Sequence, residues 1–205
     1  GGSAREHAEY PLAEVVLLAP VLHPPSIRLF DEQASFAFAN PAAVVGPGAS
    51  IRAPGGARPQ GDLTVRSRVA CVIGAEGAIG GFTGLAEWRA PGLRAPKDRD
   101  FALGLGPVVV TPDEFDGSSA VMVARVNGEE RSRGNLADLY HPWDRIVEQA
   151  GWNTELWPGD ILGSGTVGTG CILEHGDGRW LQPGDEVELE VEGIGMLRNR
   201  IGERS

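Results

Sequence analysis

The chain has 205 residues, with apolar and charged shares of 41% and 22%, which fits one ordinary globular domain burying roughly 70% of its unfolded surface. A formal net charge of −10 and a pI near 4.9 exclude the basic footprint that nucleic-acid binding needs. No stretch approaches the roughly 20 apolar residues of a membrane span, and 30 glycines with 15 prolines favour short strands and turns over long helices.

In chain order, the opening "GGS" reads as a tag remnant, residues 1–10 as a flexible N-terminus and 11–205 as a single domain. The start lacks a charged-then-apolar signal pattern, so a cytoplasmic location is expected. Residues 11–30, "PLAEVVLLAPVLHPPSIRLF", hold an apolar run bracketed by prolines and fit one strand and a turn. Residues 39–62 are dense in Gly and Pro, predicting short extended pieces. "RSRVACVIG" (66–74) is a buried strand running into a glycine turn, with Val69, Cys71 and Ile73 on one face and Ala70 and Val72 on the other. Arg66 and Arg68 share the face of Ala70 and Val72, where two guanidinium groups repel each other and are costly to desolvate.

Residues 77–100 read as a loop, and 105–115 as a strand leading to a turn. "SAVMVARVNGEERSRG" (119–134) is the clearest hairpin, with Asn127-Gly128 supplying a turn tolerant of positive φ. One helix follows, with Pro142 in its first turn, a Trp143, Ile146, Val147, Ala150 stripe, and Gly151 to end it. Two runs, 157–174 and 181–201, open with Pro-Gly-Asp before apolar or alternating residues. In the second, "EVELEVEGIG" alternates strictly, predicting one buried and one acidic, wet face. Cys71 and Cys171 each lie in apolar runs and read as small buried thiols.

Residue chemistry alone goes little further. The four histidines are far apart, and there is no CxxC, HExxH or G-x-S-x-G. "GSGTVGTG" is either a tight turn or a set of exposed backbone N–H groups for an anion such as a carboxylate. Lys97, Arg99 and Asp100 form a charged knot that is either a solvated run or part of a site.

The segments "KDRDFALGLGPVVVTPDEF", "VARVNGEERSRGNLADLY", "LWPGDILGSGTVGTGCILE" and "LQPGDEVELEVEGIGMLRNRI", in that order, strongly resemble the fumarylacetoacetate hydrolase (FAH) family. "SIRLFDEQ", "NPAAVVGPGASIRAP" and "VACVIG" extend the likeness over residues 11 to 201. The resemblance implies a mainly β (α+β) fold with few short helices, the family's mixed β-sheet roll, assembled as a homodimer. It also implies chemistry on small 1,3-dicarbonyl or 2-keto acids, with Mg²⁺, Mn²⁺ or Ca²⁺ held by carboxylates. Carried over by position, the family's E-x-E pair falls on Arg66 and Arg68, its later Asp on Glu87, its active-site lysine on Lys97, and its carboxylate-holding turn on Gly165 and Thr166. The family's water-activating Glu/His segment is not recognisable here.

Exchanging two carboxylates for two guanidinium groups repels a divalent cation by several kcal/mol at any plausible dielectric, so loss of the metal and no cofactor are expected. The expected catalytic set is Arg66, Arg68, Glu87 and Lys97, with Trp88, Arg99, Gly165 and Thr166 binding substrate. Three readings stay open. In the first, the arginines replace the cation in an isomerase, cyclase or decarboxylase, with Glu87 as an arginine's partner or a general base. In the second, they plug the cavity of an inactive protein that binds an acidic metabolite or a protein partner. In the third, Asp62, Glu76 and Glu87 are substitute metal ligands.

Overall fold

The computed structural model describes residues 10–33, 35–55, 63–166 and 179–203. The expected tag remnant, Asp62, Cys171 and the glycine-rich run after Thr166 lie outside the described residues. The described chain is mostly strand with one α-helix, as expected. Strands β1 (Ile27–Phe30), β2 (Phe36–Phe38), β3 (Val44–Val45), β5 (Thr64–Ile73), β6 (Ile79–Arg89), β7 (Leu103–Val110) and β10 (Ile161–Gly163) form one sheet in the order β2-β1-β10-β5-β6-β7-β3. The other sheet contains β4 (Ser50–Ile51), β8 (Val121–Val126), β9 (Glu129–Asn135), β11 (Glu186–Val191) and β12 (Gly195–Ile201), in the order β4-β12-β11-β8-β9.

The long strand β5 explains the architecture. Its Val65, Val69, Cys71 and Ile73 face the main core, where they join Phe82 and Trp88 of β6 and Leu189 and Leu197 of the second sheet. Helix α1 (Trp143–Gly151) closes the same core with Trp143, Ile146 and Ala150, as its apolar stripe predicts. The opposite face of β5 carries Ala70 and Val72 into a smaller cluster with Leu85, Leu103, Leu105, Ile27 and Ile161. Arg66 and Arg68 extend from that second cluster. Burial pushes the Cys71 thiol up to about 12, so it stays protonated at neutral pH.

The predicted hairpin is β8–β9, with Asn127 and Gly128 at φ 52° and 79°, the left-handed pair of a two-residue turn. Two expectations are corrected. The apolar run 15–22 contributes no strand: prolines 20, 24 and 25 withhold backbone donors, Val16 and Leu18 are exposed, and the strand falls at Ile27–Phe30. Residues 79–89, read as loop, form the sheet's longest strand, paired with both β5 and β7. The glycines that suggested a loop serve close approach instead. A methyl group on Gly84 would lie 2.7 Å from the Gly106 carbonyl oxygen of β7.

The alternation in β11 holds, but its polar face is not uniformly wet. Glu188 is buried and accepts from Arg198 Nε at 3.0 Å across the β11–β12 pair. Among the described residues, no helix is long and apolar enough to cross a membrane.

Candidate functional site

The β5–β6 register sets Arg66 opposite Glu87 and Arg68 opposite Leu85, so Arg68 and Glu87 are diagonal neighbours on one face. Arg68 Nε and Nη2 donate to Glu87 Oε2 at 2.9 and 2.8 Å, with both side chains about 95% buried. Arg68 Nη1 donates to the Phe30 carbonyl at 2.8 Å and also to the Ser164 carbonyl. One guanidinium therefore ties β5 to β6, to the end of β1, and to the segment that follows β10. Burial pulls the Arg68 guanidinium below its ordinary value, while Glu87 opposes that fall.

Ser164 is fastened a second time. Its N–H donates to the Val69 carbonyl at 2.8 Å, and its hydroxyl donates to the Gly165 carbonyl at 2.7 Å. Gly165 and Thr166, both half-buried, follow directly. Among the described residues, nothing stands where a Gly165 side chain would be.

The charges continue outward from Glu87. Arg89 Nη1 lies 3.9 Å from Glu87 Oε1, and Arg89 Nη2 donates to Asp98 Oδ2 at 2.9 Å. Arg99 grips the same carboxylate through Nε, at 3.1 Å to each oxygen, and through Nη2 at 2.9 Å. Lys97, largely exposed, is held by Asp100 at 2.7 Å. Arg66 is half-buried, lies close enough to oppose the charge on Arg68, and has no hydrogen-bond or ion-pair partner among the described residues. Among the described residues, Arg66, Arg68, Arg89 and Arg99 thus surround Glu87 and Asp98, an excess of two positive charges in a chain of net charge −10.

Asp98 shows how this network couples to pH. Burial works to raise its carboxyl, but hydrogen bonds from Arg99 and Arg89 outweigh it and hold the group below its ordinary 3.8. A carboxylate with a depressed folded-state value stabilises the fold above its unfolded value and loses that contribution as pH falls through the folded one. The melting temperature is therefore expected to fall on acidification below about pH 4, and Asp98→Asn should flatten that decline. An unchanged acid limb in Asp98→Asn would contradict the assignment.

The sequence-predicted residues are only partly brought together. Arg68 and Glu87 bond directly, Gly165 and Thr166 are joined to them through Ser164, and Arg99 is joined through Asp98 and Arg89. Glu87 serves as the partner of Arg68, the first of its two expected roles. Trp88, expected beside substrate, faces the other way: strand alternation places it wholly within the main core. Asp62 lies outside the described residues, and Glu76 follows β5 at the hairpin's far end from Glu87. Glu76 and Glu87 are therefore not assembled into one site.

A hard divalent cation needs several carboxylate or carbonyl oxygens. Here the one carboxylate on this face of the β5–β6 pair is bonded to Arg68, with Arg66 alongside. Among the described residues, no three His, Cys, Asp or Glu side chains converge. The described residues do not fit such an ion.

Sequence reasoning missed Arg89, Asp98, Phe30 and Ser164. Glu87 and Arg89 repeat the alternate-position pattern of Arg66 and Arg68, a signal masked by reading the segment as loop. The two backbone carbonyls leave no mark in a side-chain pattern.

Residues 22–202 match the profile of the fumarylacetoacetate (FAA) hydrolase C-terminal family. A 5-carboxymethyl-2-hydroxymuconate delta-isomerase from Mycobacterium smegmatis is 28% identical, with a TM-score of 0.79 over 96% of this chain and 85% of its own. Maleylpyruvate hydrolase from Sphingobium, solved with manganese(II) and pyruvate, has a TM-score of 0.82 over 97% of this chain and 78% of its own at 22% identity, a likeness of fold. An uncharacterized protein of Staphylococcus epidermidis is 37% identical over 102 residues, 49% of this chain and 33% of its own length. The matched region spans about a third of that curated relative.

Proposed function

The chain belongs to the fumarylacetoacetate hydrolase family, and from that premise we propose that it acts on a small keto acid or 1,3-dicarbonyl compound without a metal ion. The reaction is an isomerisation, cyclisation or decarboxylation rather than a hydrolysis. The observation that carries this reading is the local excess of positive charge around Arg66, which has no partner among the described residues. Such reactions develop negative charge on an enolate oxygen, and a fixed guanidinium stabilises it through charge-assisted hydrogen bonds in a partly dry site. The Mycobacterium smegmatis relative, whose name is that of an isomerase, supports the reaction class.

In this mechanism Arg66 faces the developing oxyanion. Arg68 is a positioning residue that holds the turn of Gly165 and Thr166, whose N–H and hydroxyl groups meet the substrate carboxylate. Glu87 supplies the counter-charge that keeps Arg68 in place. Lys97, exposed and attended by Asp100, gives a proton to the enolate carbon and regains one from solvent. On the family likeness we propose that the protein is a homodimer.

Metal-stripped protein is therefore expected to turn over candidate 1,3-dicarbonyl and 2-keto acids in EDTA, monitored by loss of the enol absorbance. Arg66→Ser should lower kcat/KM about 100-fold. Activity that vanishes with EDTA and returns with Mg²⁺ would overturn the proposal. A second reading, a non-catalytic binder of an acidic metabolite, is favoured by the way Arg68 and Glu87 occupy each other. Thermal stabilisation by keto acids without turnover would select it.

A further inference from the structure

Strand β2 and the turn 95–100 flank an open cleft of about 520 Å³, within the range of small-molecule sites. Phe38, Ala95 and Pro96 form apolar walls, and Asn40, Arg99 and Asp100 stand around them.

Phe38 is 68% exposed, yet it is held from behind. It meets Phe36 edge-on at 5.5 Å, and the Arg28 guanidinium lies 5.8 and 5.6 Å from the two ring centroids. Arg28 is itself buried against Asp160, at 3.5 Å, and Asp160 also accepts from Ser26 Oγ at 2.8 Å and the Trp157 N–H at 2.9 Å. A solvent-facing ring braced in this way is a fixed platform for a flat group.

The far wall is tied to the platform. Asn40 Nδ2 donates to the Asp100 carbonyl at 3.1 Å, so the end of β2 and the turn 95–100 keep their spacing. Charge at the rim has one sign to offer. The Asp100 carboxylate is taken by Lys97, whereas Arg99 uses Nε and Nη2 on Asp98 and leaves Nη1 without a partner among the described residues. Arg99 shares the Asp98 carboxylate with Arg89, which lies 3.9 Å from Glu87, so ion pairs link the rim of the cleft to the cationic face.

We propose that this cleft seats the body of the ligand, a small 2-keto acid carrying a flat apolar substituent, with the substituent on Phe38 and the anionic end directed past Arg99 toward Arg66 and the turn of Gly165 and Thr166. The ligand's charge is chosen on the proposed function, whereas the preference for a flat apolar group comes from the cleft itself.

Calorimetric titration of the full chain with pyruvate and with phenylpyruvate separates the two. Phenylpyruvate should bind about ten-fold more tightly than pyruvate. That ratio should fall to about one in Phe38→Ala and return in Phe38→Tyr, which restores a flat ring. In Arg66→Ser both acids should weaken while the ratio persists. Phenylpyruvate binding no tighter than pyruvate, or a ratio that survives Phe38→Ala, overturns the inference. A Phe38-dependent ratio with affinities indifferent to Arg66→Ser leaves the inference standing and overturns the proposed role of Arg66.

Discussion

Arg68→Met lowers stability by about 3–5 kcal/mol, because it leaves the Glu87 carboxylate buried without the guanidinium that donates to it twice. The carbonyls of Phe30 and Ser164 lose their donor as well. For a chain of this length the fall in melting temperature is on the order of 10 °C. Arg68→Met combined with Glu87→Leu should recover most of the loss, since replacing both members of a buried pair by apolar groups is often neutral. Thermal unfolding of the wild type, the two single variants and the double variant tests the cycle. A single Arg68→Met variant melting within about 2 °C of wild type would refute the buried-pair account.

Gly84→Val is the second large effect. Its Cβ would stand 2.7 Å from the Gly106 carbonyl oxygen, a backbone atom that cannot rotate away. Strands β6 and β7 would have to separate at a position where their register already shifts. A cost of about 3 kcal/mol is expected from overpacking of this kind. Denaturant unfolding measures it; a midpoint unchanged from wild type would mean that β7 does not approach as closely as described.

Gly84 also shows where the sequence misleads. Strand β5 was legible because Val69, Cys71 and Ile73 alternate with Ala70 and Val72. The β8–β9 turn was legible in Asn127-Gly128, and α1 in the spacing of Trp143, Ile146, Val147 and Ala150. Strand β6 was hidden because glycine carries the same signature whether it frees a backbone or admits a neighbouring one. That misreading extended to the site. Arg66, Arg68 and Glu87 were recognised by family likeness, but the reach from Glu87 through Arg89 to Asp98 requires β6 to be a strand. Trp88 was misplaced for the related reason that a loop has no faces. The acceptors from Phe30 and Ser164 are backbone atoms far apart in the sequence, brought together by the tertiary fold alone.

The position of β10 has a consequence for the order in which the protein is made. β1 enters the large sheet only beside β10, and Ser26 bonds Asp160 across 134 residues of chain. During N-to-C-terminal synthesis, β5, β6 and β7 can pair long before β10 leaves the ribosome, whereas β1 and β2 have no edge to join until then. Arg68 meets Glu87 early and waits for both of its carbonyl acceptors. The cationic face and the Phe38 platform are thus completed together, late, by a three-residue strand.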